Sequence, residues 1–435
     1  MSFIAKYFHF QEEKTSYRTE IIAGTTTFFA MAYILFLNPT VLSAAGMDSG
    51  AVFTATAITS AIATLFMGIV ARYPIAIAPG LGVNAFFAYS VVVGMGVPWQ
   101  TAMAGILVAA VIFLLITLFK IREKIIDSIP QDLKLAIAAG IGLFIAFIGL
   151  HNAGIIIANK DTMVSLGHLT SASTLLAIFG IVVTLVLMAR KVPAAIFVGM
   201  ILTSVVGILT KQIQLPHTLI SNAPSLAPTM GKSFAALGQI NSFQMIMVIL
   251  TFLIVTFFDT AGTLIGLAEQ AGFMKDNKMP RAGSALMADA VGMTVGAVIG
   301  TSPTSAFVES SSGIAVGGRT GFASVITGFF FLISLLFSPL LTVVTSQVTA
   351  PALVVVGILM ANNLRKINWQ DLAIAAPSFL IVIGMPLTYS ISDGIALGFI
   401  VYPITMITTG RAKKVHPIMY ALALIFILYL FTITH

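Results

Sequence analysis

The chain has 435 residues, of which 58% are hydrophobic and only 9% charged. Soluble domains carry nearer to about 25% charge, and a mean hydropathy of +1.04 excludes a water-soluble enzyme and a disordered chain alike. The absence of cysteine removes disulfides, thiol nucleophiles and thiolate-held metals. A net charge of +7 fits the cytoplasmic loops of a membrane protein, so nucleic acid is not expected as a partner.

A helix needs about 20 apolar residues to cross the hydrocarbon core. In chain order, apolar stretches occupy 19–38, 51–71, 75–94, 99–119, 132–151, 172–189, 193–210, 243–267, 282–300, 303–318, 321–343, 350–362, 371–388, 389–409 and 415–433. Residues 75–94 are interrupted by Pro79, Gly80 and Gly82, and residues 303–318 are rich in Ser and Gly and hold Glu309. The stretch at 350–362 is short, and the last suits the interface as well as a span. The pattern predicts an all-α polytopic protein of the cell membrane with about fourteen spans.

Lys6, Lys14 and Arg18 precede the first stretch, and Arg72, Lys120, Arg122, Lys124, Arg190, Lys191, Lys275, Lys278, Arg281 and Arg319 follow even-numbered ones. Every second loop is therefore positive, which predicts a cytoplasmic N-terminus over residues 1–18. Glu12 and Glu13 stand too close to the first apolar stretch for a secretory signal. The polar segment 211–242 divides the chain into halves 19–210 and 243–435, each of seven spans. An odd number makes the halves inverted in the membrane. A faint repeat agrees: Thr27-Phe28-Phe29-Ala30 leads to Ala45-Gly46-Met47, and Thr256-Phe257-Phe258-Asp259 leads to Ala271-Gly272-Phe273. The two interrupted stretches then take third place in each half, the pattern that marks a transporter binding site.

Most of the acids lie in loops or at span ends; three do not: Asp259, Asp289 and Glu309. A mid-bilayer charge costs about 2.5–3.5 kcal/mol on insertion scales and is usually functional. No Lys or Arg lies mid-span to neutralise Asp259 or Glu309. Burial favours the neutral form of a carboxyl, so at least one of the pair is expected to carry a proton when the site is closed, the means of coupling to a proton gradient. The alternative use of these acids is to cap broken helices. Asp289, among Gly292, Gly296 and Gly300, reads as structural, and Glu269 as solvated at the interface.

Pro303, flanked by Thr301, Ser302, Thr304 and Ser305, disfavours helix in the residue before it. An extended piece followed by a half-helix leaves N–H groups for a substrate carbonyl or anionic group. In the first half, Gly80 and Gly82 allow close backbone approach, and Asn84 offers donor and acceptor together or serves as a cap. With Phe28, Phe29, Phe86, Phe87, Phe257 and Phe258 nearby, these groups suit a small, neutral, planar heterocycle. The six histidines have no metal-ligand spacing, and no phosphate loop is present, so neither a metal nor an enzymatic reaction is expected.

Four strings carry a family resemblance: YRTEIIAGTTTFFAMAYILFLNP (17–39), APGLGVNAFFAY (78–89), FFDTAGTL (257–264) and GTSPTSAFVESSSGIAVGGRTG (300–321). With them the chain resembles the azaguanine-type purine permeases, a branch of the nucleobase–cation symporters within the nucleobase/ascorbate transporter superfamily. It looks most like the bacterial hypoxanthine/guanine permeases, though adenine permeases share the strings. The resemblance implies two inverted repeats of seven spans, with spans 1–4 and 8–11 as core and 5–7 and 12–14 as gate. The third and tenth spans would each begin with a short strand, with substrate between them. The family's site residues fall on Asn84, Asp259 and Glu309. Glu309 and the backbone near Ser305 and Ala306 would hold the purine edge. Asp259 would bind the other edge or carry the proton; both acids stay candidates for coupling. Thr27 and Thr260 are further lining residues. The resemblance leaves 415–433 unplaced.

The function so implied is proton-coupled import of hypoxanthine or guanine by alternating access, with protons as the coupling ion and no other cofactor. An adenine-preferring permease, an uncoupled facilitator, an anion exchanger of the same fold and an intramembrane enzyme are the rivals. The partners are a purine nucleobase and the bilayer; a homodimer is allowed for, though no residue dictates it.

Overall fold

The computed structural model describes residues 3–119, 129–216, 218–274 and 279–433. Lys120, Arg122, Lys124, His217, Lys275, Lys278 and His435 lie outside them, as do the side chains of Phe258 and Glu269.

Lipid offers the backbone no hydrogen bonds, so apolar stretches must satisfy their own. They do so as helices: α1 Tyr17–Ser43, α2 Ser49–Ala71, α3 Leu81–Gly94, α4 Trp99–Leu118, α5 Gln131–Asn152, α6 Ala172–Ala189 and α7 Ala195–Leu209 in the first half. In the second half they are α8 Phe243–Gln270, α9 Ala282–Ile299, α10 Ser310–Ala315, α11 Gly321–Val343, α12 Ser346–Lys366, α13 Leu372–Thr388, α14 Ile391–Thr408 and α15 Pro417–Ile433. Among the described residues, ten helices are long and apolar enough to cross a membrane, so the chain is a multi-pass helical membrane protein.

The all-α expectation needs one correction, a hairpin after α5; the short strands that open the third and tenth spans are those the family resemblance implies. Strands β1 (Ile77–Pro79) and β4 (Thr304–Ala306) pair antiparallel. Strands β2 (Ile156–Asn159) and β3 (Met163–Leu166) form a hairpin after α5. The hairpin turns on Asn159, whose side-chain oxygen accepts from the N–H groups of Asp161 (2.8 Å) and Thr162 (3.0 Å), an Asx turn.

Helix starts are capped where the sequence supplies a short polar side chain. Asp48 accepts from Ala51 N–H at 2.7 Å at the start of α2, and Ser16, Ser171, Thr320, Asp371 and Ser390 cap α1, α6, α11, α13 and α14. Asp371 also pairs with Arg411 in the loop after α14, and that guanidinium holds its carboxyl below the usual carboxylate range. Glu20 is fully buried yet satisfied. It accepts from Thr15 Oγ1 (2.8 Å) and the N–H groups of Arg319 (3.0 Å) and Thr320 (3.3 Å), tying α1 to the loop before α11.

The helices pack in two sets. In one, α11 lies on α1 and α2, α9 on α2 and α4, α8 on α4, and α10 on α1. In the other, α12 lies on α5, α6 and α7, and α13 on α5 and α14. The stretch left unplaced by the sequence is a packed helix: α15 lies on α14 and α8. It buries Met419, Phe426 and Tyr429, and the Tyr429 hydroxyl donates to Asp393 at 3.2 Å.

Close helix approach rests on small residues, as expected in lipid. A Cβ on Gly321 would land on the Gly68 carbonyl oxygen and 2.7 Å from Arg72 Cα. Both obstacles are backbone and cannot rotate away. Gly321→Ala is expected to cost about 3 kcal/mol, the top of the usual over-packing range, while Gly238→Ala, with open space around it, changes nothing. Thermal unfolding of the two purified variants in one detergent checks the contrast.

Candidate functional site

The two broken spans meet backbone to backbone. Ile77 faces Ala306, Ala78 faces Ser305 and Pro79 faces Thr304. The ladder is extended by Gly80 N–H to the Pro303 carbonyl (2.9 Å) and Phe307 N–H to the Ala76 carbonyl (3.0 Å). Proline supplies no N–H and keeps its predecessor extended, so each strand sits where a helix cannot form. A two-stranded ribbon buried among helices has two raw edges, each needing partners. Side chains supply them. Thr64 of α2 bonds both the N–H (3.0 Å) and the carbonyl (2.9 Å) of Ile77. Ser310 Oγ accepts from Ala76 N–H at 3.0 Å.

Asp289 belongs to this scaffold. Thr304 Oγ1 donates to its carboxylate and lies equally close, 3.0 Å, to its carbonyl oxygen. Gly292 on the same helix leaves room for Thr304, whose Oγ1 would stand 2.7 Å from a Cβ there. Asp289 thus ties α9 to β4, as its expected hydrogen bond to a neighbouring element would.

Asp259 and Glu309 both reach the strand pair. Glu309 stands at the start of α10 and accepts a hydrogen bond from the Tyr33 hydroxyl at 2.5 Å. Asp259, on α8, lies beside the Ser305 side chain. The two acids are near enough for their charges to interact. Ser305 Oγ and Asp259 Oδ2 both crowd Gly80, where an added Cβ would stand 2.7 Å from the first and 3.3 Å from the second. Asp259, Glu309, Ser305 and Ala306 thus gather around one strand pair.

The other expected residues take varied positions. Thr27 is buried, and its hydroxyl occupies the space a Cβ on Gly313 would need, where α1 meets α10. Thr260, next to Asp259, is buried, and its hydroxyl has no partner among the described residues. Asn84 is fully buried; its Nδ2 donates to Asn38 Oδ1 at 3.0 Å, while its Oδ1 has no partner among the described residues. Asn38 is the hub of a buried polar node. It donates to Thr56 (2.7 Å) and Thr301 (2.8 Å) and accepts from Ser302 (3.1 Å), locking α1, α2, α3 and the approach to β4 together. Phe28, Phe86 and Phe257 pack on Phe331, Phe252 and Phe113, and Phe29 is 45% exposed.

Sequence reasoning missed Tyr33, Asn38, Thr56 and Thr64. Tyr33 and Asn38 lie within the first family string, and their polar groups in an apolar run were the available signal.

The chain's relatives are permeases, and among its described residues ten helices are long and apolar enough to cross a membrane, so it is a transporter rather than an enzyme. The chain belongs to the permease family, whose sequence profile matches residues 18–397, and the likeness to purine permeases carried by the four strings holds along nearly its whole length. It is 56% identical over 432 residues to the guanine/hypoxanthine permease PbuG of Bacillus subtilis, covering 97% of this chain and 98% of that one. It is 43% identical over 426 residues to the adenine permease AdeP of Escherichia coli, covering 98% and 95%. Among solved structures, the transmembrane domain of the cyanobacterial bicarbonate transporter BicA matches with a TM-score of 0.62 at 14% identity, over 88% of this chain and 97% of that one; that likeness is one of fold alone.

Proposed function

We propose that this permease is a proton-coupled importer of purine nucleobases, with hypoxanthine and guanine as substrates, working by alternating access. The reading is carried by the meeting of Asp259 and Glu309 at the β1–β4 pair, in a chain 56% identical to a guanine/hypoxanthine permease. A purine carries N–H donors and carbonyl or ring-nitrogen acceptors on one flat edge. Carboxylates answer the first, and hydroxyls and backbone N–H groups the second. A proton taken up by either acid removes a charge that is costly in the bilayer, so the loaded site crosses more readily than the ionised one. Asn84, Ser305, Ala306, Thr27 and Thr260 complete the proposed site.

The architecture belongs to the same reading. Fourteen spans would form two inverted repeats, α1–α7 and α8–α14, with α15 added. Exchanging each helix for its partner seven places on turns the α2–α11 contact into α9–α4, α5–α13 into α12–α6, and α6–α7 into α13–α14, and all of these contacts are made. Antiparallel pairing of β1 with β4 also suits an axis in the membrane plane. The set holding the acids would be the core, moving against the second set as gate, with the N-terminus cytoplasmic.

The driving force suffices. One proton moving down ~100 mV yields about 2.3 kcal/mol and one pH unit adds about 1.4, enough for roughly 500-fold accumulation of a neutral base. Uptake of labelled hypoxanthine into proteoliposomes, with an inward proton gradient and with it collapsed, tests the reading. Gradient-dependent accumulation is expected. Equilibration without accumulation makes the protein a facilitator. The 43% identity to an adenine permease supports a second reading, which hypoxanthine exclusion together with adenine entry would establish.

A further inference from the structure

We propose that Tyr33 is a positioning residue that stands in for the substrate on Glu309: its hydroxyl holds the carboxylate while the site is empty and yields it to an N–H of the base on loading. The inference rests on the reading of Asp259 and Glu309 as the nucleobase site.

Tyr33 lies in the turn at Ala32–Tyr33 that parts the two helical stretches of α1. It is fully buried, and its 2.5 Å bond to Glu309 is at the short end for a hydroxyl on a carboxylate. The other charged group facing Glu309 is Asp259, which has the Ser305 side chain beside it. Each acid thus has a neutral hydroxyl as a neighbour. A hydroxyl donates to a carboxylate and accepts from a carboxylic acid, so Tyr33 fits Glu309 with or without its proton. A buried carboxylate without a donor is costly, and an empty carrier has no base to supply one. Tyr33 on α1 and Glu309 beside α10 sit in elements that pack on each other, so the bond travels with the site when the two helix sets move.

Two consequences follow. Tyr33 competes with the base for Glu309 and raises KM. Tyr33 also satisfies Glu309 during the return of the empty carrier, a step that net uptake needs and homoexchange bypasses. The full-length Tyr33→Phe protein, reconstituted with labelled hypoxanthine, should show net proton-driven uptake reduced about tenfold, the scale of one hydrogen bond to a charged group. Homoexchange should be retained and its KM should fall. Net uptake and exchange falling together, or a raised KM, would overturn the proposal and leave the nucleobase reading intact. Wild-type vesicles that neither accumulate nor exchange any purine would overturn both. A second measurement needs no variant. Infrared difference spectra of the wild-type protein on adding hypoxanthine should shift a tyrosine C–O band as the phenol leaves the carboxylate, and an unmoved band would overturn the exchange.

Discussion

Glu309→Gln is expected to cut hypoxanthine uptake at least about 100-fold at unchanged abundance in the membrane. Glutamine keeps the shape and loses both the charge and the ability to carry a proton. A hydrogen bond to a charged group is worth about 1.5–3 kcal/mol, and every 1.4 kcal/mol is tenfold. Loss of a charged contact to the base therefore accounts for one to two decades, and loss of a coupling proton would remove accumulation on top. Glu309→Asp separates two components. It keeps the charge but withdraws the carboxylate from Tyr33, which now bonds it at 2.5 Å, so about a tenfold loss is expected, the worth of one such bond. Initial rates and plateau levels in proteoliposomes, normalised to reconstituted protein, distinguish the two variants. Uptake by Glu309→Gln within fivefold of the wild type would remove Glu309 from the site.

The fold was legible because lipid leaves few options. Apolar runs near twenty residues must be helices, and the observed bounds fall close to the stretches read from hydropathy. The breaks at Pro79 and Pro303 were legible for the same reason, since proline withholds an N–H and forces extension before it. The family strings implied a short strand at each break, but the pairing of the two was written in neither segment. Tyr33 and Glu309 are 276 positions apart, and nothing local in an apolar run tells which polar side chain a distant acid will meet. Asn84 shows the same limit. Its donor and acceptor groups were legible, yet its partner is Asn38, whose amide in an apolar run marks a buried polar group without saying which distant side chains it meets. The hairpin at 156–166 depends on one Asx turn between two short strands, too brief for periodicity to register.

The fold by itself leaves the cargo open. The transmembrane domain of a bicarbonate transporter shares it at 14% identity, so the choice between anion and neutral base falls to the side chains at the strand pair. An anion exchanger would need a cation or a neutral group where Glu309 stands. Two acids, one bonded by a tyrosine hydroxyl and the other beside a serine, repel an anion and suit a donor-bearing neutral ligand.

Gly80 is the position where the smallest change should have an outsized effect. Its backbone, at φ −74° and ψ 132°, is open to any residue, so alanine brings no conformational strain there. The obstacle is steric and functional at once. A Cβ would stand 2.7 Å from Ser305 Oγ and 3.3 Å from both Ser305 Cβ and Asp259 Oδ2. The hydroxyl can rotate away, and in doing so it moves off Asp259, whose Oδ2 borders the same space. Gly80→Ala is therefore expected to fold and reach the membrane while losing at least about tenfold in uptake, the scale of one hydrogen bond to a charged group. Gly80→Val, which adds two carbons against the same atoms, should leave no uptake. Adding Ser305→Ala to Gly80→Ala relieves the closest contact but not the loss, because the hydroxyl is then absent altogether. The double variant should melt higher than Gly80→Ala and transport no better. A cycle of the two single variants and the double, read for both melting temperature and uptake, exposes this divergence, since contacting residues couple where distant ones add. Recovery of uptake in the double variant would mean that Gly80 serves packing alone and that the Ser305 hydroxyl has no part in holding Asp259 for transport.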